Sequence, residues 1–173
     1  MCRFRFLVGV LLLICCGWVM AEQREWTPIN LLARSSDEPV KVQLSDTDWQ
    51  WLRDKRTLRL GVTAPDYAPF DITGSGTDLE GITADVVGVI ADALNVRIEV
   101  RRYPDRDAAV AALSRGDIDL LSRATGYEAP RPDVVLSVPY FSNQPVIIGP
   151  ETTRLKSNWQ LVGKRIAVVS DYY

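Results

Sequence analysis

The sequence predicts an α/β fold, a mostly parallel sheet flanked by helices. A short apolar run at residues 58–62 and the alternating Val96, Ile98 and Val100 enclose a helical pattern over residues 83–94. That strand–helix–strand order makes a parallel pair through a right-handed crossover. A second unit follows, with an Ala-rich helix after Pro104 and a strand in residues 117–121. The composition, 47% apolar and 24% charged over 173 residues, is that of a globular chain able to bury a sizeable core.

Residues 1–21 are read as a signal peptide: Arg3 and Arg5 precede an apolar stretch, and Val19, Met20 and Ala21 give a small-residue cleavage pattern. The apolar stretch is shorter than the roughly 20 residues of a membrane span. A lipoprotein signal is disfavoured because Ile14 precedes Cys15 and Cys15 precedes Cys16. The chain is therefore expected to be exported. Cleavage removes two arginines and no acid, moving the formal charge from −2 to −4, and takes all three cysteines with it. The remainder has no thiol nucleophile or disulfide and, with no histidine, lacks the commonest general base and transition-metal ligand. No cofactor, metal or catalytic residue is expected. The acidic balance and the absence of a Lys/Arg run argue against nucleic acid.

Residues 22–56 are read as a leader, loosely ordered to residue 39, then a half-exposed strand at 40–44 and a short helix capped by Ser45 with Asp46 and Asp48 in its first turn. Residues 57–150 form a first lobe. After the strand at 58–62, residues 71–80 are turn chemistry around Gly74 and Gly76. Thr83 is the expected N-cap of the next helix, and Asn95 its end. Gly116 closes the Ala-rich helix. Further strands are expected at 134–136 and 146–148. Residues 151–173 read as a crossover and the first strand (165–169) of a second lobe that is missing after it.

In open α/β sheets a ligand sits beyond the carboxyl ends of the strands. Asp66, Tyr67 and Phe70 lie there after the first strand, with Pro65 and Pro69 fixing φ on either side of Tyr67; capping the sheet end is the plainer role for both rings. Arg123, Thr125, Gly126 and Tyr127 follow the 117–121 strand and so lie beside them. Arg123 suits an anionic solute, or an internal pair with Asp66 or Glu128. Thr125 and Gly126 suit hydroxyl or backbone contacts, and Tyr127 either touches ligand or fills the cleft.

LRLGVTAPDYAPF, the EGITADVVGVIADAL helix, GDIDLLS, VVLSVPY and QPVIIGPE, in that order, resemble the family 3 solute-binding (type II periplasmic-binding, Venus-flytrap) fold over residues 58–173. PDYAPFDIT, EGITAD, RRYPDRDAAVAAL and the GYEA of residues 126–129 look closest to the N-terminal periplasmic modules of BvgS-type sensor hybrid histidine kinases. The resemblance implies a clamp whose closure on a small solute, an amino acid or small carboxylate, is passed to a downstream membrane segment and kinase. Half a clamp leaves a ligand open on one side, so binding no tighter than about millimolar is expected. Transport receptors of the family carry Thr-x-Thr-x-x-Arg after the third strand. Here Thr125 is kept, Tyr127 replaces the second Thr, and Pro130 stands at the Arg position with Arg131 one residue late. Arg131 is the candidate carboxylate clamp, while Asp85 is read as a solvated first-turn acid. The alternative is the substrate-binding protein of an importer. An enzyme on this scaffold would need an acid/base pair, for which only Asp66 and Glu128 lie near.

Overall fold

A computed structural model describes residues 25–34, 40–125, 131–142, 146–150 and 157–167. Residues 1–21, Gly126, Tyr127 and Glu128 lie outside them, as does part of the strand expected at 165–169.

Strand β2 (Thr57–Thr63) is buried along most of its length. It pairs in parallel with β4 (Arg97–Tyr103) over seven residues, from Thr57 opposite Arg97 to Thr63 opposite Tyr103. Its other edge pairs in parallel with β5 (Leu120–Leu121). Helix α2 (Ile82–Leu94) connects β2 to β4, and α3 (Arg106–Arg115) connects β4 to β5. The mostly parallel α/β sheet is therefore present, with helices against it. Leu60, Val62 and Val100 pack with Ala84 and Val87 of α2, whereas Tyr103 and Ile118 pack with Ala109 and Ala112 of α3. Helix α1 (Asp46–Lys55) carries the expected Ser45 N-cap, which Asp48 closes into a capping box, and buries Leu52 on Leu58 and Val96. Asp105 caps α3, Gly116 closes it and Asn95 closes α2.

The leader is where the chain departs from its expected course. Thr27–Leu31 forms a strand, β1, antiparallel to β4 and parallel to β3 (Asp78–Leu79), so the order across the sheet is β3-β1-β4-β2-β5. Pro28 made the segment look like coil. β3, however, reaches only Asn30 and Leu31, so among the described residues the strand has a neighbour on one side only at Pro28, a position that tolerates proline. The strand expected at 40–44 does not form, nor do those at 134–136 and 146–148. Val135 and Ile148 are 95% and 91% exposed. Apolar, β-branched runs become strands only against a partner edge, and among the described residues none lies beside them.

Asp119 joins α1, β2 and β5. Its carboxylate accepts from Lys55 Nζ at 2.7 Å, from the Arg59 backbone N–H at 2.9 Å, and from Arg59 Nε and Nη2 at 3.0 Å each. Burial pushes its pKa up, but the hydrogen bonds from Arg59 and Lys55 outweigh that and hold it well below the ordinary carboxylate value of 3.8. A depressed folded-state pKa gives stability that is present above the unfolded value and lost as pH falls towards the folded one. Asp119→Asn is therefore expected to lose about 2 kcal/mol at pH 7. In urea titrations across pH, the gap between parent and variant should close only below about pH 4; a gap independent of pH would rule this account out.

Candidate functional site

β2 ends at Thr63 and the chain turns back on itself through residues 64–73. The Ala64–Pro65 and Ala68–Pro69 peptide bonds are cis. The Tyr67 N–H donates to Asp71 O at 2.9 Å and the Asp71 N–H to Tyr67 O at 3.1 Å, closing a tight loop. Asp66 staples its base: the carboxylate accepts from the Thr73 N–H at 2.6 Å and from Thr73 Oγ1, with Arg102 Nη2 3.8 Å away. The side chain of Asp66 is thus committed to Thr73 of its own loop, by backbone and hydroxyl together.

The loop is fixed to the helix behind it. Helix α2 begins after Gly81, not at Thr83, because the carbonyls of Pro69 and Phe70 accept from the Ile82 and Thr83 N–H groups at 3.0 and 3.1 Å. Two of the helix's open amides are satisfied by backbone, so no side-chain cap is needed. Thr83 is buried, and its Oγ1 lies 3.2 Å from Tyr140 Oη. The same phenol donates to Ser122 O at 3.2 Å, tying α2 to the end of β5.

At the centre lies a residue that sequence reading passed over as part of a turn. Asp71 is wholly buried, and its Oδ2 accepts from Arg123 Nε at 2.9 Å and Ser122 Oγ at 2.8 Å. Arg123 also donates to Thr63 Oγ1 at 3.3 Å, and its guanidinium carbon stands 4.3 Å from the Tyr67 ring centroid. Among the described residues the internal partner of Arg123 is therefore Asp71 and not Asp66; Glu128, the other expected partner, lies outside them. Nothing in the local sequence distinguishes Asp71 from an ordinary turn aspartate; only the β5 edge brings Ser122 and Arg123 to it. Phe70 is buried, tilted against Tyr67 at 5.5 Å and edge-on to Phe141 at 4.9 Å.

Two hollows flank this cluster. The smaller, about 20 Å³, is lined by Thr63, Asp66, Tyr67, Arg106 and Arg123 with two neighbouring loop residues. The larger, about 460 Å³, lies along β5 and includes Leu120, Ser122, Thr125, Val134, Tyr140 and Phe141 in its wall. Tyr67 and Arg123 are thus brought together as expected, whereas Thr125 lines the neighbouring hollow. Arg131 lines neither; it donates to Ser114 Oγ at 3.1 Å and sits 3.6 Å from Asp133. Asp85, expected to be solvated, accepts from the Arg34 N–H at 2.9 Å. Among the described residues, no group of three or more Cys, Asp or Glu is placed to hold a metal ion, and no helix is long and apolar enough to cross a membrane.

The order of these elements has counterparts. The chain is 38% identical over 156 residues to the virulence sensor protein BvgS of Bordetella parapertussis, covering 90% of this chain. It is 40% identical over 144 residues to BvgS of Bordetella pertussis, and 27% identical over 141 residues to the sensor protein EvgS of Escherichia coli O157:H7. It spans 12% of the length of each of these sensors. The crystal structure of the B. pertussis BvgS periplasmic domain superposes with a TM-score of 0.61 at 42% identity, over 66% of this chain and 22% of that one. Residues 58–166, from the buried strand β2 through the segments beyond Arg123, match the bacterial extracellular solute-binding proteins of family 3. With more than half of its length matched, the chain belongs to that family.

Proposed function

We propose that the domain is a solute-binding, non-catalytic module on the periplasmic side of a sensor histidine kinase, exported by a signal peptide at residues 1–21. In this reading residues 57–150 supply one lobe of the clamp and 151–173 lead towards another. The observation that carries it is the meeting of Arg123 and Tyr67 where parallel β2 and β5 end, the place where open α/β sheets take small ligands. Both side chains are held from behind, Arg123 by Asp71 and Tyr67 by its loop, so little ordering is left to be done on binding. The solute class proposed is an amino acid or small carboxylate that presents only a carboxylate oxygen to the guanidinium groups of Arg106 and Arg123, whose hollow of about 20 Å³ has room for one water-sized group, and rests its body in the neighbouring hollow of about 460 Å³. Thr125, Gly126 and Tyr127 are proposed to complete the contacts, and Asp66 and Phe70 to shape the wall. A sensor is favoured over an importer receptor because the relatives matched across 79–90% of this chain are sensor proteins.

The test is a titration followed by backbone and side-chain NMR, with glutamate, glutamine and succinate each taken to about 10 mM, enough to detect millimolar binding. Shifts should concentrate at Tyr67, Arg123 and Thr125 for one of the three. Arg123→Ala should abolish them, and Arg131→Ala should leave them in place. Unmoved signals with all three solutes would remove the proposed solute class.

A further inference from the structure

Residues 25–34 lie ahead of the family match, yet they are held along their whole length. At one end Glu25 pairs with Arg115 at 2.7 Å, and the Arg101 guanidinium packs 4.4 Å from the Trp26 ring centroid. In the middle Ile29 is buried with Leu60, Leu79 and Val100. At the other end Ala33 meets α2 at Gly88, where any Cβ would collide with it, and the Arg34 N–H reaches Asp85.

We propose that residues 25–34 are a strap that holds the loop bordering the cleft in register, so that the working unit of this domain begins well before the family match. β3 is two residues long and, among the described residues, has one sheet neighbour, β1. The Asn30 N–H donates to Thr77 O at 2.8 Å, its side-chain amide to Thr77 O at 3.2 Å and Asp78 Oδ1 at 3.0 Å, and the Leu32 N–H to Leu79 O at 2.9 Å. From β3 the path runs through the paired Ile72 and Glu80 to Asp71, and so to Tyr67 and Arg123. The strap also covers the β4 edge, a row of backbone groups that would otherwise stand open to pairing with other chains. This inference does not depend on which solute, if any, the cleft takes.

Amide hydrogen exchange on the full chain tests it, in the parent, Ile29→Asp and the milder Asn30→Ala. The informative amides are Tyr67, Asp71, Ile72 and Glu80, all bonded within the loop. The reference amides are Asp119 and Ser122, bonded to β2 on the far side of the sheet. In Ile29→Asp the loop amides should exchange at least about tenfold faster while the reference amides keep parent rates, and Asn30→Ala should show the same pattern more weakly. Should Ile29→Asp fail to fold, Asn30→Ala decides alone. Parent rates at the loop in the folded variants, or equal acceleration at both sets, would overturn the strap.

Discussion

Replacing Asp71 by Asn is expected to destabilise the domain by about 3 kcal/mol, because it strips the counter-charge from a guanidinium that has almost no water to turn to. Arg123 is 20% exposed and Asp71 is wholly buried. Removing one partner of such a pair leaves the other as an uncompensated charge, which costs more than the pair contributes when intact. The melting temperature should fall by about 6–12 °C for a chain of this size. Adding Arg123→Met to Asp71→Asn should cost less than the two changes summed, with a coupling of about 2 kcal/mol, since the double variant no longer strands a charge. Urea unfolding of the four proteins in the cycle decides the matter. An Asp71→Asn variant within about 0.5 kcal/mol of the parent would show that the pair is not buried as described.

Gly81→Ala should be at least as damaging, at about 3–4 kcal/mol, for a backbone reason. Gly81 has φ of 101° and ψ of −172°, a conformation essentially confined to glycine. A Cβ there would also run into the carbonyl oxygens of Pro69 and Phe70, which are backbone atoms and cannot swing aside. Those carbonyls receive the first N–H groups of α2, so relieving the clash breaks the junction between helix and aromatic loop. Circular dichroism melts would register the loss. Gly74, where an added Cβ would meet nothing within 4 Å, serves as the control and should tolerate alanine within about 0.5 kcal/mol. A mild Gly81→Ala would mean that the loop and helix can separate without consequence.

The parts legible in the sequence are those where local pattern and tertiary context agree. The period-two run of Val96, Ile98 and Val100, the Asp105 cap and the Ala-rich face of α3 each specify their element without help. β1 was hidden because its inward contacts come from residues far along the chain, and Pro28 argues locally against a strand. The opposite error arose at residues 134–136 and 146–148, where propensity is strong and no described edge accepts them. At the site, placing Tyr67 and Arg123 at adjacent strand ends followed from topology alone. Asp71 did not, because a carboxylate's role as counter-ion is set by what β5 delivers to it. Asp66 was legible as a loop residue, though not as the acceptor for Thr73.

The position of β1 also bears on the order in which the protein can be assembled. Asn30 and Leu31 find their partners at Asp78 and Leu79 and Thr27 finds its partner at Arg102, so the first described strand to emerge waits roughly fifty residues for β3 and roughly seventy for β4. Contacts so distant along the chain slow folding, since loop closure must precede the pairing that rewards it. Until β3 and β4 arrive, Trp26, Ile29 and Leu31 stay exposed as an apolar, aggregation-prone segment. Slowing synthesis between residues 34 and 97 should therefore raise aggregation more than an equal delay after Tyr103.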